Sequence, residues 1–391
     1  MSRTPTPSST PSPSPRPSPT AAANPGGLTD AELVGQLFST YVYGSGADVA
    51  TPDQRAANMA LYGAATPADV VRRWHLGGVI LVDRNPLDPR RPTLSTGNVD
   101  AAAQITALTA GLQRAAVADS GVRLLISTDQ EGGRVQRITD GVSDRPAQLT
   151  LAHVPPAALT CGYYTLGRQL LALGVNQDFA PDADVVTTAG GVIGDRSFGS
   201  DPQLDARDVV AAVRGLQAAG VLATLKHWPG HGSTSTDSHA ALAVIEESAA
   251  TWHGLDRVPF AAAAQLAAGI MVGHLALPAL DPSGRPATFS EVLDRHLLRG
   301  ELGFRGLVIT DSLWMEPAQA EGTPGQVALG ALRAGNDVLL EPPALPASYT
   351  ALLEAVHHDA ATRKLVQRAV ARILAAKARA GAADGAPPGC A

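Results

Sequence analysis

From Leu28 onward, short apolar runs alternate with longer stretches in which apolar residues recur every three to four positions. Short continuous runs of this kind read as strands, and the 3.6-residue rhythm reads as helix. The predicted strands are Ser39–Tyr43, Leu76–Val82, Val122–Thr128, Val175–Phe179, Val221–His227, Ile270–Leu275, Leu307–Asp311 and Asp337–Leu340. Between them lie predicted helices at Val99–Ala118, Thr160–Leu173, Gln203–Ala219, Arg257–Ala268, Glu291–Gly300 and Gly325–Ala334. Thr66-Pro67 and Thr323-Pro324 have the pattern of an N-cap followed by proline in the first turn, and Gly174, Gly220 and Gly335 stand where helices should stop. The strand runs are apolar almost throughout, as in Gly-Val-Ile-Leu-Val from Gly78, which is how parallel strands buried on both faces read. Eight such βα units predict an α/β fold, a single (β/α)8 TIM-type barrel, with a doubly wound sheet as the rival. The barrel is expected to span residues 28–380, with one or two outer helices over Tyr349–Arg379 and a flexible C-terminal tail at 381–391.

Composition alters this picture at the N-terminus and in the core. Residues 1–20 hold seven Pro, six Ser and four Thr, so 1–27 is expected to be a disordered tether with nothing to bury. No basic start followed by an apolar stretch precedes it, so the chain carries no recognisable export signal, yet such tethers commonly separate an exported domain from its attachment point. Cell-envelope or extracellular and cytoplasmic locations therefore both stay open, the former slightly favoured. With 45% hydrophobic but only 4% aromatic residues, the core must be mostly Ala, Val and Leu. The net charge of −6 and the absence of any Lys/Arg run speak against a nucleic-acid partner. Cys161 and Cys390 are too few and too far apart for a disulfide framework or a cysteine zinc cluster, and they leave the redox compartment open. No apolar run is long enough to span a bilayer. A monomer is favoured.

In a barrel the chemistry collects where strands end. Here those ends read Thr128-Asp129-Gln130-Glu131-Gly132-Gly133-Arg134, Phe179-Ala180-Pro181-Asp182-Ala183-Asp184, Lys226-His227-Trp228-Pro229-Gly230-His231, Gly273-His274 and Thr310-Asp311-Ser312. Asp182, Asp184 and Asp201 are expected as turn or capping residues. An Asp ending a buried strand, such as Asp129 or Asp311, must find partners or line a pocket. His227, His231 and His239 crowd one loop, with two chemical readings. A metal site from His227, His231, Asp237 and His239 has suitable donors, but Pro229 and Gly230 break the helix that a His-x-x-x-His pair needs, so no metal or other cofactor is expected. The alternative is an acid/base dyad in which Asp237 holds one ring nitrogen of His239 while Asp311 attacks, the division of labour of a retaining glycosidase.

The stretch Lys226 to His239, K-H-W-P-G-H-G-S-T-S-T-D-S-H, resembles the signature loop of the single-domain, NagZ-type β-N-acetylglucosaminidases of glycoside hydrolase family 3, a group that recycles peptidoglycan. D-Q-E-G-G-R-V from Asp129, I-G-D-R-S-F from Ile193, M-V-G-H-L-A-L-P-A-L-D from Met271 and G-L-V-I-T-D-S-L-W-M from Gly306 follow in the family's order. The resemblance runs from about Leu28 to Leu340 and implies a (β/α)8 barrel and retaining removal of a terminal non-reducing N-acetylglucosamine. By the same resemblance Asp311 is the nucleophile, His239 with Asp237 the acid/base dyad, and Asp129, Arg196, Lys226 and His227 hold the sugar hydroxyls. Arg134 and His274 sit in matching motifs without an implied contact. The implied partner is a small carbohydrate, a GlcNAc-terminated muropeptide or disaccharide.

Lys226 and Arg196 are expected to lower the pKa of nearby carboxyls and keep Asp311 ionised. Trp228 stands where the family often has Phe, and Ser312 where Asp or Ala is common. The low aromatic content fits a small polar exo-site better than a long groove of stacking rings. Rival readings are a β-glucosidase of the same family, a phosphorylase that uses phosphate in place of water, and a non-enzymatic cell-wall binding protein.

Overall fold

The computed structural model describes residues 24–188 and 190–390. The tether expected over 1–27 therefore lies, for 1–23, outside the described residues. Eight strands form the central sheet: β1 Phe38–Thr40, β2 Gly78–Ile80, β3 Leu125–Thr128, β4 Gln177–Asp178, β5 Leu222–Trp228, β6 Gly269–Val272, β7 Leu307–Thr310 and β8 Leu339–Leu340. They are hydrogen-bonded in the order β7-β6-β5-β4-β3-β2-β1-β8 and every pairing is parallel. A parallel bridge from Ile309 to Val338 joins β7 to β8, so the sheet closes on itself. This is a (β/α)8 barrel, and closure removes the doubly wound alternative. Each strand lies within or overlaps a predicted apolar run, and the strand residues are buried on both faces, as parallel strands covered by helices must be.

The helices begin and end for local reasons that the sequence displays. Thr66 Oγ1 accepts from the Asp69 N–H, and Thr323 forms a reciprocal capping box with Gln326, each followed by proline in the first turn. Gly174, Gly220 and Gly335 take positive φ at helix ends. The chain's two terminal parts meet outside the barrel. Arg363 grips Asp30 with both guanidinium nitrogens at 2.7 and 2.8 Å, and the Tyr349 hydroxyl donates to the Ala31 carbonyl at 2.9 Å.

At the C-terminal end the reading of the two cysteines is corrected. Past Ala380, Gly381 N–H donates to Gly220 O at 2.8 Å and Asp384 N–H to Ala218 O at 3.1 Å. Cys390 is buried and disulfide-bonded to Cys161, on the helix Pro156–Ala172. A sequence separation of 229 residues hides the pairing from any spacing rule, because only the barrel's closure brings the two together. No helix among the described residues is long and apolar enough to cross a membrane.

Candidate active site

The C-terminal ends of the strands open into a cleft of about 220 Å³ that is continuous with solvent. Asp129, Arg196, Lys226, His227, His239 and Asp311 all line it, so six of the seven residues expected to act together share one cavity. The seventh, Asp237, is bonded to His239 from behind. Among the lining residues Phe179 is the only Phe, Tyr or Trp.

β5 carries two of these side chains, and the loop after it is shaped by glycine. A Cβ on Gly232 would lie 2.0 Å from the Val185 carbonyl, so only glycine lets this loop pass so close to the segment after β4. The tight turn after β3 depends on Gly132 and Gly133, at φ 107° and 57°, which fold Gln130–Gly132 back onto Val135–Gln136. That turn fixes both Asp129 and Glu131 at the mouth of the barrel. Trp228 points outward into a buried aromatic cluster, edge-on to Trp252 and Phe260 at 5.5 and 5.3 Å, and its indole N–H reaches Leu293 O at 3.2 Å. Tryptophan in place of phenylalanine therefore affects the packing behind the loop and leaves the cleft unchanged.

Charge in the cleft is arranged in pairs. Glu131 is buried between two cations: Arg196 Nε donates to its Oε2 at 2.8 Å and Arg196 Nη2 to its Oε1 at 2.9 Å, while Lys226 Nζ lies 2.5 Å from Oε1. Burial would raise the Glu131 carboxyl, but Arg196 and Lys226 outweigh it and hold the group far below the usual carboxylate range. Lys226 Nζ also donates to Asp129 at 2.8 Å, and although burial lowers its pKa, Asp129 and Glu131 push it above the usual lysine range. Asp184 accepts from His227 Nδ1 at 2.8 Å and from the backbone N–H of His231 at 2.7 Å. Against burial, the His227 contact takes its carboxyl down to about 2. A neutral or cationic His227 thus keeps Nδ1–H on Asp184 and leaves Nε2 toward the cleft.

Asp311 follows β7, and its Oδ1 accepts the Ser312 N–H at 2.7 Å. Burial works to raise its carboxyl, but the surrounding imidazoles, His227 first, and the Ser312 amide hold it below the usual range. This corrects the expectation that Lys226 and Arg196 do so: both cations are occupied by Glu131, Asp129 and Asp182. His274 does not line the cleft. It is fully buried, with Nε2 against the Ser312 carbonyl at 2.9 Å and Nδ1 against Thr288 Oγ1 at 2.8 Å, and so fixes the backbone next to Asp311. Arg134 is half-exposed, bonded to the Val192 and Ile193 carbonyls and paired with Asp195 at 3.2 Å.

The dyad geometry forms as the spacing suggests. Asp237 Oδ1 accepts from His239 N–H at 3.0 Å and from Nδ1 at 2.7 Å. The loop is pinned just before it by His231, whose ring nitrogens contact Thr234 Oγ1 and Ser238 Oγ at 2.5 and 3.0 Å. Burial lowers the His231 pKa, so this imidazole acts as a neutral strut.

Asp201 caps the helix Pro202–Ala218 as expected, but Asp182 and Asp184 are not turn residues. Both are buried within the polar cluster, with Asp182 3.1 Å from Arg196 Nε. Burial pushes the Asp182 carboxyl up against the pull of Arg196, whose charge Glu131 already balances. Glu131 is the residue the sequence reading missed, although its place two residues beyond Asp129 was a usable signal. Asp182, Asp184 and His227 bring one donor atom each within 4.8 Å of the others. That set has metal-ligand chemistry, yet Asp184 is already occupied by His227 and backbone N–H groups, and the Arg196 guanidinium supplies the positive charge at Asp182.

Known proteins share this arrangement of chain. The profile of the glycosyl hydrolase family 3 N terminal domain matches residues 45–376. A β-hexosaminidase of Nitrosomonas eutropha is 36% identical over 285 residues, covering 70% of this chain and 76% of that protein. One from Alkalilimnicola ehrlichii is 38% identical over 283 residues, with 70% and 76% covered. Among solved structures, a glycoside hydrolase family 3 β-N-acetylglucosaminidase from Paenibacillus sp. superimposes with a TM-score of 0.78 at 35% identity, over 92% of this chain and 64% of that one. A β-N-acetylhexosaminidase from Beutenbergia cavernae does so with a TM-score of 0.76 at 30% identity, over 90% and 99%. The barrel, the motif order and these matches agree: the chain is a glycoside hydrolase and belongs to glycoside hydrolase family 3.

Proposed function

We propose that this enzyme is a retaining exo-β-N-acetylglucosaminidase that removes terminal non-reducing N-acetylglucosamine from short peptidoglycan-derived fragments. What supports the reading above all is that Asp311 and His239 open onto the same cleft as Lys226, Asp129, Arg196 and His227. Asp311, ionised, attacks the anomeric carbon and forms the glycosyl ester as the C1–O bond to the leaving group breaks. His239 gives its Nε2 proton to the departing oxygen, then takes one from the water that cleaves the ester. Asp237 keeps the other proton on Nδ1. Lys226, Asp129 and His227 grip sugar hydroxyls, and Arg196 holds the carboxylates that orient them. The absence of Trp and Tyr from the lining fits a single bound sugar. The Cys161–Cys390 disulfide is chemistry of an oxidising compartment and favours work outside the cytoplasm.

The test is turnover of p-nitrophenyl glycosides of GlcNAc, GalNAc and glucose, with and without phosphate. GlcNAc release should dominate, phosphate should not replace water, and Asp311→Ala should lose at least about 10³-fold in kcat. Unimpaired Asp311→Ala would sink the assignment.

A further inference from the structure

The proposed mechanism leaves one carboxyl of the cleft unused. Glu341 directly follows β8, lines the cleft, and is only 8% exposed. By strand order β8 lies across the barrel from β4, so Glu341 faces the cleft from the side opposite the Asp184 and Arg196 cluster. Its backbone is left-handed, with φ 49°, where Gly or Asn would sit with less strain, and its N–H is anchored to Ser39 O at 2.7 Å. Strained conformers of this kind collect where a side chain must be aimed. Its carboxyl lies beside Ser312, the residue after Asp311 that departs from the family pattern.

Beside it lies a buried polar row: the Tyr43 hydroxyl faces Tyr41, the Tyr41 hydroxyl faces Asn85, and of the three only Asn85 lines the cleft. The Asn85 amide nitrogen makes no hydrogen bond of regular geometry and can donate to a group that enters. We propose that Glu341 contacts the bound sugar directly, holding one of its hydroxyls from the β8 side of the cleft, and so completes the grip that Lys226 and Asp129 provide from the other.

The groups facing Glu341 are Asp129 and Arg137 from the β3 side, Asp311 and Ser312 from β7, and Tyr41, Tyr43 and Tyr62 from β1 and the helix Pro52–Tyr62. Burial, reinforced by Asp129 and Asp311, pushes its carboxyl up to about 7, so below that pH it is a neutral acid. A neutral acid both donates to and accepts from a sugar hydroxyl, whereas the ionised form only accepts. The competent form therefore prevails below pH 7 and is lost above it.

The inference rests on the glycosidase reading, and two measurements keep the failures apart. Wild-type turnover of p-nitrophenyl-GlcNAc tests the activity, and titration of the Glu341 variants with free N-acetylglucosamine tests the contact alone. Glu341→Ala should weaken sugar binding and lower kcat/KM about tenfold or more at pH 6, whereas Glu341→Gln, which keeps a neutral donor and acceptor, should stay within about threefold. Between pH 6 and pH 8 the ratio of Glu341→Gln to wild-type kcat/KM should rise about tenfold, the loss of one ionisation near 7. Binding in Glu341→Ala equal to wild type, or a Glu341→Gln profile parallel to wild type, would overturn the proposal. Should the Ala variant fail to fold, the Gln pH profile decides.

Discussion

Asp237 Oδ1 lies 2.7 Å from Nδ1 of His239, yet both side chains remain more than half exposed, at 56% and 52%. Burial works to raise the Asp237 carboxyl, but the His239 amide and ring together hold it below the usual range, so it stays an acceptor that fixes the tautomer of its neighbour. Asp237→Asn should keep the loop in place and lose the tautomer. We expect kcat/KM on a disaccharide to fall about 10²-fold or more, and less on an activated aryl leaving group that needs little protonation. A series of phenyl leaving groups should therefore show a steeper dependence on leaving-group pKa in the variant. An unchanged slope would remove Asp237 from the acid step.

Glu131 balances both Lys226 and Arg196, and its replacement leaves these buried cations with one carboxylate each, Asp129 for Lys226 and Asp182 for Arg196. Glu131→Gln should cost roughly 3–5 kcal/mol of stability, as breaking buried pairs does. The pH dependence carries a defined sign. The folded-state carboxyl lies below its unfolded value of about 4.3, so the stabilisation is complete above about pH 5 and disappears as the pH falls below it. Wild type should thus lose its advantage over Glu131→Gln on acidification, measured as the gap between their denaturation midpoints from pH 7 to pH 3. A constant gap would contradict the ionised, doubly paired state.

The Cys161–Cys390 bond closes a loop of more than two hundred residues around the barrel. Reduction, or Cys161→Ser, should cost roughly 2–5 kcal/mol and leave the catalytic cleft intact. Differential scanning calorimetry with and without reductant should show a lowered Tm, with kcat unchanged at low temperature. Two titratable thiols in protein matured in an oxidising compartment would refute the pairing.

The barrel was legible because closely packed parallel strands require runs that are apolar on both faces, and Leu307–Thr310 or Gly78–Ile80 permit little else. The Asp237–His239 bond was legible because the two are two residues apart on a turn and their contact is local. What escaped depends on closure. Glu131 meets Lys226 from β5 and Arg196 from the long connection after β4, Asp184 meets His227 from β5, and Asp182 meets Arg196 across the same connection, and no spacing rule encodes those partners. The origin of Asp311's low pKa was misassigned for the same reason: nearness to a cation matters only if that cation is not already neutralised. Ser312 and Glu341 likewise meet only across the β7–β8 seam.

The register at the other side of that seam is short, Phe38 against Leu339 and Ser39 against Leu340. Asp129, Lys226, Asp311 and Glu341 come from strands that are remote in sequence, and they converge only when the last strand docks beside the first. The cleft is thus an all-or-none product of ring closure. Loosening β8 would disable turnover with every reactive side chain still chemically intact, and amide exchange along β1 and β8 would register that loss before any change in the dyad loop.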